Sequence, residues 1–218
     1  MRYSELIKYY ERLEKTTKRL EKTAIIEELL KKSKGDKNVV YLIHGRVFPE
    51  WDERKIGFSN RLMIKAISSI TGMSAKDVEL SFNRKGDLGI VAEELMSKKK
   101  QVTLKNKELS TDDVLENIRK LAELEGDGTV NRKVNLVTEL LSNAKEREIK
   151  YIVRMILEQL RVGTAEGILR DAISKAFNKN VDEIERAFNL TVDYGEVVEL
   201  AIKNKLDKIE LKPGRPLK

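Results

Sequence analysis

The sequence contains no cysteine and only one histidine, His44, among its 218 residues. The absence of cysteine excludes disulfide bonds, thiolate zinc sites and cysteine nucleophiles. A single histidine argues against most histidine-based metal sites and against a histidine-based catalytic dyad. We therefore expect His44 to be a buried, hydrogen-bonded side chain rather than a catalytic group.

Long apolar segments are absent as well. No apolar run approaches the roughly 18 residues that a membrane-spanning helix needs. The N-terminus, which begins Met1-Arg2-Tyr3-Ser4-Glu5, lacks the apolar region of a signal peptide. These absences predict a soluble, intracellular protein of the cytoplasm.

Charge, by contrast, is abundant. Charged residues make up 36% of the chain and hydrophobic residues 40%, which is typical of a globular protein with a very polar surface. Lys and Arg number 43 against 36 Asp and Glu, so the net charge is +7 and the pI is near 9.3. This excess indicates a polyanionic partner, nucleic acid first and an anionic membrane surface second. The length allows one large domain or two small ones.

Apolar residues recur at helical spacing through most of the chain, which predicts an all-α protein of about ten to twelve helices. Residues 38–44 could also form a short buried strand, but their helical surroundings favour a helix. Gly72 should end one helix and Ser74 should cap the next. The other predicted helical segments are 3–32 as two helices, a helix that follows 55–59 and runs through 71, a helix capped by Asp87 that runs to about 97, and the segments 112–125, 130–143 and 146–160.

The segment 45–52 is predicted to be a loop, because Pro49 and the residues before it resist helix formation. Two large aromatic residues, Phe48 and Trp51, lie in this loop. They could stack on nucleic-acid bases, but we favour a role as core side chains beneath the loop, which is the usual fate of large aromatics.

The segment 159–167 joins two apolar helical runs and contains Arg161, Gly163 and Thr164 just before a helix start. A helix start exposes unsatisfied N–H groups at the positive end of the helix dipole, and both features attract phosphate. A plain corner between two helices is the simpler explanation of such a short motif. Two further observations favour the phosphate-binding interpretation.

The first observation is an internal repeat. Residues 56–92 align with 162–198 without a gap, so that Gly57 meets Gly163 and Lys55 meets Arg161. Upstream, Glu28-Leu29-Leu30 resembles Glu139-Leu140-Leu141 after a shift in spacing. The repeat predicts one domain made of two pseudo-two-fold-related helical lobes, about 1–105 and 106–211. Two such lobes would present two equivalent basic loops, which suits binding to both strands of a duplex across the minor groove.

The second observation is a resemblance carried by three motifs. The segments 46–51 (Arg-Val-Phe-Pro-Glu-Trp), 85–93 (Lys-Gly-Asp-Leu-Gly-Ile-Val-Ala-Glu) and 160–167 (Leu-Arg-Val-Gly-Thr-Ala-Glu-Gly) resemble the N-terminal DNA-binding domain of ATP-dependent DNA ligases, in an archaeal form. The resemblance covers essentially the whole chain. It implies an all-helical, non-catalytic domain that grips nicked duplex DNA through the minor groove during replication, recombination and repair.

The resemblance places Arg161 and Gly163 at DNA-contacting positions, and the internal repeat adds Lys55 and Gly57 as their counterparts. The remaining candidate DNA-binding residues lie in the same motifs or loops: Arg46, Ser59, Lys85 and Thr164.

No catalytic residue and no metal site can be assigned. Complete ligases carry a Lys-x-Asp-Gly motif in a nucleotidyltransferase domain, and this sequence has none, since Lys85-Gly86-Asp87 has the wrong order. The resemblance implies that ATP and Mg²⁺ act in the full-length ligase but not in this chain. We therefore expect a ligase fragment that is inactive alone, with 212–218 as a linker toward the missing domain.

Other functions stay open at this point. The segment 98–104 lies where archaeal relatives can carry a sliding-clamp motif, so Gln101 and Leu104 are candidate clamp contacts. A solvated linker is the favoured interpretation, because the anchoring aromatics are missing. A helical protein-interaction module without DNA binding is the main alternative, and RNA binding ranks third. We expect a monomer.

Overall fold

The computed structural model describes residues 1–98 and 108–209. Every secondary-structure element assigned in that part of the chain is a helix, which confirms the predicted all-α class. The elements are α1 (Tyr3–Glu14), α2 (Arg19–Lys32), α3 (Lys37–Ile43), α4 (Asn60–Thr71), α5 (Ala75–Lys85), α6 (Leu88–Ser97), α7 (Thr111–Glu123), α8 (Thr129–Asn143), α9 (Glu146–Ile156), α10 (Glu166–Phe177), α11 (Val181–Thr191), α12 (Tyr194–Ile202) and a short 3₁₀ turn, Leu206–Lys208.

Two predictions fall outside the described residues. They are the clamp contacts Gln101 and Leu104, and the linker 212–218. Within the described residues, no helix is both long enough and apolar enough to cross a membrane.

Local signals set most helix ends. Gly72 ends α4 in the left-handed conformation, with φ 76°, and Ser74 caps α5 by accepting the N–H of Asp77. Residues 38–43 are helical rather than extended, and Asp36 caps α3 by accepting the N–H of Asn38. A short polar side chain at this position satisfies a backbone donor that the first helical turn leaves unpaired.

The predicted helix 146–160 was too long at its C-terminus, because α9 ends at Ile156. Glu158 adopts a left-handed φ of 56°, and the N–H of Gln159 donates to the carbonyl of Arg154 at 2.7 Å. This reversal resembles the usual glycine-terminated helix end, but here a non-glycine residue adopts it. Without a glycine, the sequence pattern did not reveal the stop.

The chain divides into two compact units, and each combines segments from both halves of the sequence. Among the described residues, the first unit contains 8–54 and 161–209, together with Met1. The second unit contains residues 2–7, 55–98 and 108–160. These units do not coincide with the predicted lobes 1–105 and 106–211, because the helices of each half pack on helices of the other.

In the first unit, α2 packs on α10 and α3 packs on α12. The α2 side chains Ile26, Leu29 and Leu30 are fully buried, and so are Leu169 and Ile173 of α10. Apolar burial of this kind, at spacings of three and four residues, supplies most of the stability of a helix in a protein.

In the second unit, α4 packs on α8 and α6 packs on α9. The buried α8 residues Val137, Leu140 and Leu141 follow the same spacing as the buried residues of α2. The resemblance between 28–30 and 139–141 in the sequence therefore corresponds to two helices with equivalent packing roles.

Equivalent aspartates cap α6 and α12, but their partners differ. Asp87 accepts the N–H of Ile90 at 3.0 Å and the guanidinium N–H of Arg154 at 2.9 Å. Partial burial is the largest single influence on the pKa of Asp87 and would raise it. The hydrogen bonds from Arg154 and from the backbone N–H of Ile90, together with the positive charge of Arg154, outweigh burial, so the pKa lies below its usual value. Arg154 therefore stabilises the ionised form.

Asp193 accepts the N–H of Gly195 at 2.9 Å and the hydroxyl of Tyr41 at 2.9 Å. Its neighbour is a neutral phenol rather than a guanidinium. Burial therefore dominates and raises the pKa of Asp193 above its usual value, against the hydrogen bonds that oppose this.

We predict that these two carboxylates affect stability with opposite pH dependence. The folded-state pKa of Asp87 is lowered, so its stabilisation is present above the unfolded pKa and is lost as pH falls through the folded pKa. The folded-state pKa of Asp193 is raised, so its stabilisation is present below the unfolded pKa and is lost as pH rises through the folded pKa. At neutral pH, Asp87→Asn should cost about 2 kcal/mol, because Arg154 loses a charged partner.

Urea denaturation of the parent, Asp87→Asn and Asp193→Asn, at neutral pH and in mild acid, measures the effect. The loss caused by Asp87→Asn should shrink in acid, whereas the loss caused by Asp193→Asn should grow. A change in the same direction for both variants would contradict the opposite pKa shifts.

Candidate nucleic-acid interface

The Gly163 loop, residues 161–165, lies between α9 and α10 in the first unit. Val162 is buried and anchors the loop, whereas Arg161 is exposed. The guanidinium of Arg161 has no hydrogen bond or ion pair with any residue in the described ranges. A strongly basic group therefore stands in solvent beside the start of a helix.

Lys22, on α2, contacts the carbonyl groups of this loop. Its Nζ donates to the carbonyl of Val162 at 3.0 Å and approaches the carbonyl oxygen of Gly163 at 3.5 Å. Gly163 has φ 74°, and a Cβ added there would lie 1.9 Å from the Lys22 Nζ. Glycine is thus required at this position for two reasons: its backbone conformation and the space that the ammonium occupies.

The backbone amides of the Gly163 loop face no protein acceptor. Across residues 1–98 and 108–209, none of the N–H groups from Arg161 to Ala165 forms a hydrogen bond. Ala165 is the N-cap of α10 and has no side-chain oxygen to offer. Open donors beside an uncapped helix start, with a cation nearby, favour an anion such as phosphate.

The Gly57 loop, residues 55–59, repeats this arrangement in the second unit. Lys55 is exposed, with no partner in the described chain, and Ile56 is buried. Lys133 of α8 donates from Nζ to the carbonyl of Ile56 at 3.0 Å and lies 3.4 Å from the carbonyl oxygen of Gly57. The N–H groups of residues 55–59 likewise have no acceptor among the described residues.

The two loops differ in detail. Gly57 has φ 61°, but a Cβ there would lie 3.2 Å from the Lys133 Nζ, which is tight rather than overlapping. Ser59, predicted as a DNA contact, is the N-cap of α4 and accepts the N–H of Leu62 at 3.4 Å. Its hydroxyl therefore has a capping role, which Ala165 cannot supply to α10.

Thr164, another predicted contact, anchors its loop to α3. Its hydroxyl donates to the carbonyl of Ile43 at 2.8 Å, and its own carbonyl oxygen lies 3.2 Å from Nδ1 of His44. The other ring nitrogen of His44 is 3.4 Å from a carboxylate oxygen of Glu50. His44 is thus largely buried and hydrogen-bonded, as predicted.

Arg46 and Lys85 carry charges that are partly compensated. Arg46 lies close along the chain to His44 and approaches the carboxylate of Glu50 at 3.5 Å. Lys85 pairs with Glu94 at 2.6 Å, and no described contact joins it to the Gly57 loop. The structure therefore brings Arg46 to the region of the Gly163 loop through His44 and Thr164, but it gives no such link for Lys85.

The aromatic residues of the 45–52 loop are packed against protein rather than free in solvent. Phe48 is buried, and the guanidinium of Arg54 lies 4.2 Å from the centre of its ring. Trp51 is half-buried. These environments favour the core role over base stacking.

Sequence reasoning missed Lys22 and Lys133. The spacing that superimposes 28–30 on 139–141 also places Lys22 over Lys133, so the correspondence was present in the sequence. Nothing in the sequence alone indicated that these lysines approach the glycine loops, because the Nζ–carbonyl contacts join residues up to 141 positions apart.

Comparison with known proteins gives this arrangement a family context. Residues 2–174 match the family described as DNA ligase N terminus. The chain is 43% identical over 221 residues to a DNA ligase of Methanothermobacter thermautotrophicus, an alignment that covers 99% of this chain and 40% of that protein.

Two further relatives are a DNA ligase of Thermococcus onnurineus, 40% identical over 223 residues, and one of Nanoarchaeum equitans, 38% identical over 222 residues. Each alignment covers 100% of this chain and 40% or 39% of the relative. The chain therefore spans about two fifths of the length of the ligases that it matches, and it belongs to the DNA ligase N-terminus family.

Proposed function

We propose that this chain is the non-catalytic DNA-binding domain of an ATP-dependent DNA ligase and that it grips nicked duplex DNA through backbone and minor-groove contacts. The observation that carries the proposal is the pair of equivalent loops, each with an exposed cation and a run of unpaired backbone N–H groups. The relatives of this chain are named DNA ligase, so DNA is the polyanion that we propose as its partner.

The chemistry of the two loops suits phosphate rather than bases. Backbone N–H groups and single cations bind phosphate oxygens in the same way whatever the sequence. Reading base identity needs side chains with paired donors and acceptors in a groove. The proposed contacts therefore position the protein on a duplex and carry little sequence preference.

Catalysis would belong to the rest of the ligase. Adenylation requires a lysine nucleophile, and this sequence lacks the Lys-x-Asp-Gly motif that would contain it. In the proposed division of labour, ATP and Mg²⁺ act outside these residues, and this chain holds the nicked DNA.

We predict that the chain binds unrelated duplexes with similar affinity and that binding weakens steeply with salt. Each neutralised phosphate should add about 0.9 to the slope of log affinity against log salt. Fluorescence anisotropy on duplexes of different sequence, with and without a nick, measures affinity and slope. A flat salt response would favour the protein-interaction alternative, and preference for an A-form RNA duplex would favour RNA binding.

We predict that Arg161→Ala weakens binding to all duplexes and lowers the salt slope by roughly one. Lys55→Ala should have the same effect more mildly, because an arginine can bridge two phosphate oxygens whereas a lysine is a point charge. The matched controls are Arg186→Ala and Lys76→Ala, which remove exposed, unpaired cations from α11 and α5 in the same two units.

The same titrations decide whether the loops bind DNA. If Arg161→Ala and Lys55→Ala melt like the parent and bind DNA like the parent, the loops do not contact the backbone. Equal losses in the controls would instead indicate a general effect of net charge.

We predict that the chain alone forms no adenylate. After incubation with labelled ATP and Mg²⁺, denaturing electrophoresis should show no labelled protein. A complete ligase serves as the positive control, and a stable AMP adduct on this chain would refute its non-catalytic assignment.

A further inference from the structure

We infer that Lys22 and Lys133 are positioning residues, which hold the carbonyl groups of the two glycine loops inward so that the N–H groups remain available to a phosphate. The inference rests on the proposed DNA binding and goes beyond it, because these lysines act through the loops and not by contacting DNA themselves.

The contacts of the two lysines support a positioning role. The Lys22 Nζ lies within hydrogen-bond reach of two successive carbonyl oxygens, and the Lys133 Nζ has the same two partners in its own loop. Both side chains are half-buried. An ammonium group with two protein acceptors has less capacity left for a phosphate than the unpartnered cations Arg161 and Lys55.

Electrostatics explains why the carbonyl groups need a partner. A peptide unit that turns its N–H toward an anion turns its carbonyl to the other side, and any carbonyl oxygen facing the anion would repel it. An ammonium group fixes the carbonyl oxygens and offsets their partial negative charge. The loop then presents donors that are already oriented, so binding loses less conformational entropy.

Both loops have the same type of lysine contact, but the lysine precedes the loop in the sequence in one case and follows it in the other. Lys22 precedes the carbonyl of Val162 by 140 residues, whereas Lys133 follows that of Ile56 by 77. Each glycine loop is therefore held by a lysine from the other half of the sequence. A chance surface contact would not be expected at both equivalent places.

The test compares Lys22→Ala with Lys175→Ala, which removes an exposed, unpaired lysine from α10 of the same unit. Positioning predicts about tenfold weaker DNA binding for Lys22→Ala. It also predicts a salt slope that changes by less than half of the roughly one unit expected for Arg161→Ala. Lys133→Ala should behave like Lys22→Ala in its own loop. In the free protein, the amide NMR signals of 162–165 should shift in Lys22→Ala but not in Lys175→Ala.

A double-mutant cycle adds a second test, because the two loops differ in the room that they leave for a side chain at the glycine. Gly163→Ala strains the backbone at a positive φ and also displaces the Lys22 ammonium, so its effect on affinity and that of Lys22→Ala should combine to less than their sum. Gly57→Ala leaves the Lys133 ammonium nearly in place, so its effect should add to that of Lys133→Ala.

The possible outcomes separate the inference from the proposed function. If the parent binds no duplex DNA, the proposed function fails. If the parent binds and Lys22→Ala loses a full unit of salt slope, the lysine contacts phosphate directly and the positioning role is refuted. If Lys22→Ala only lowers the melting temperature and its affinity well below that temperature is unchanged, the lysine is merely structural and the inference is also refuted.

Discussion

The contact between a lysine ammonium and two successive loop carbonyls is the interaction on which both candidate sites depend. In each unit it joins a helix from one half of the sequence to a glycine loop from the other half. It fixes the direction of the loop peptides, and at Gly163 it also occupies the volume that a Cβ would need. The ammonium also gives a hydrogen-bond partner to carbonyl groups that these non-helical loops do not pair within the backbone.

Helices from one half of the sequence pack on helices from the other half, so the internal repeat matters for stability as well as for symmetry. The largest helix contacts join the two halves, since α6 packs on α9, α2 packs on α10 and α4 packs on α8. Each half alone would leave the buried faces of Ile26, Leu29 and Leu30, or of their counterparts on α8, exposed to water. The hydrophobic effect therefore couples the halves, and the positions of both glycine loops follow from that coupling.

Local features of the fold were predictable from the sequence, and long-range features were not. The glycine at position 72, the capping residue Ser74 and the helical spacing of apolar residues act over a few positions, so they could be read directly. The pairing of α2 with α10 joins residues that lie far apart in sequence, and periodicity carries no information about such partners. Of the site, the sequence indicated Arg161, Gly163 and their counterparts through the repeat. The capping role of Ser59, the anchoring role of Thr164 and the contacts of Lys22 depend on tertiary packing and became visible only in the structure.

The two loops have diverged in a way that bears on how strongly each could hold an anion. At the Gly57 loop, the hydroxyl of Ser59 accepts an N–H of α4. At the Gly163 loop, Ala165 provides no such acceptor, so the start of α10 lacks a side-chain cap that is commonly worth about 1 kcal/mol. An uncapped helix start is less stable in the free protein, but it leaves more donor capacity for a ligand. The loop without a cap is also the one that carries arginine instead of lysine. Because capping and cation type favour the same loop independently, the Gly163 loop would be the stronger of the two anion sites in the proposed DNA-binding role.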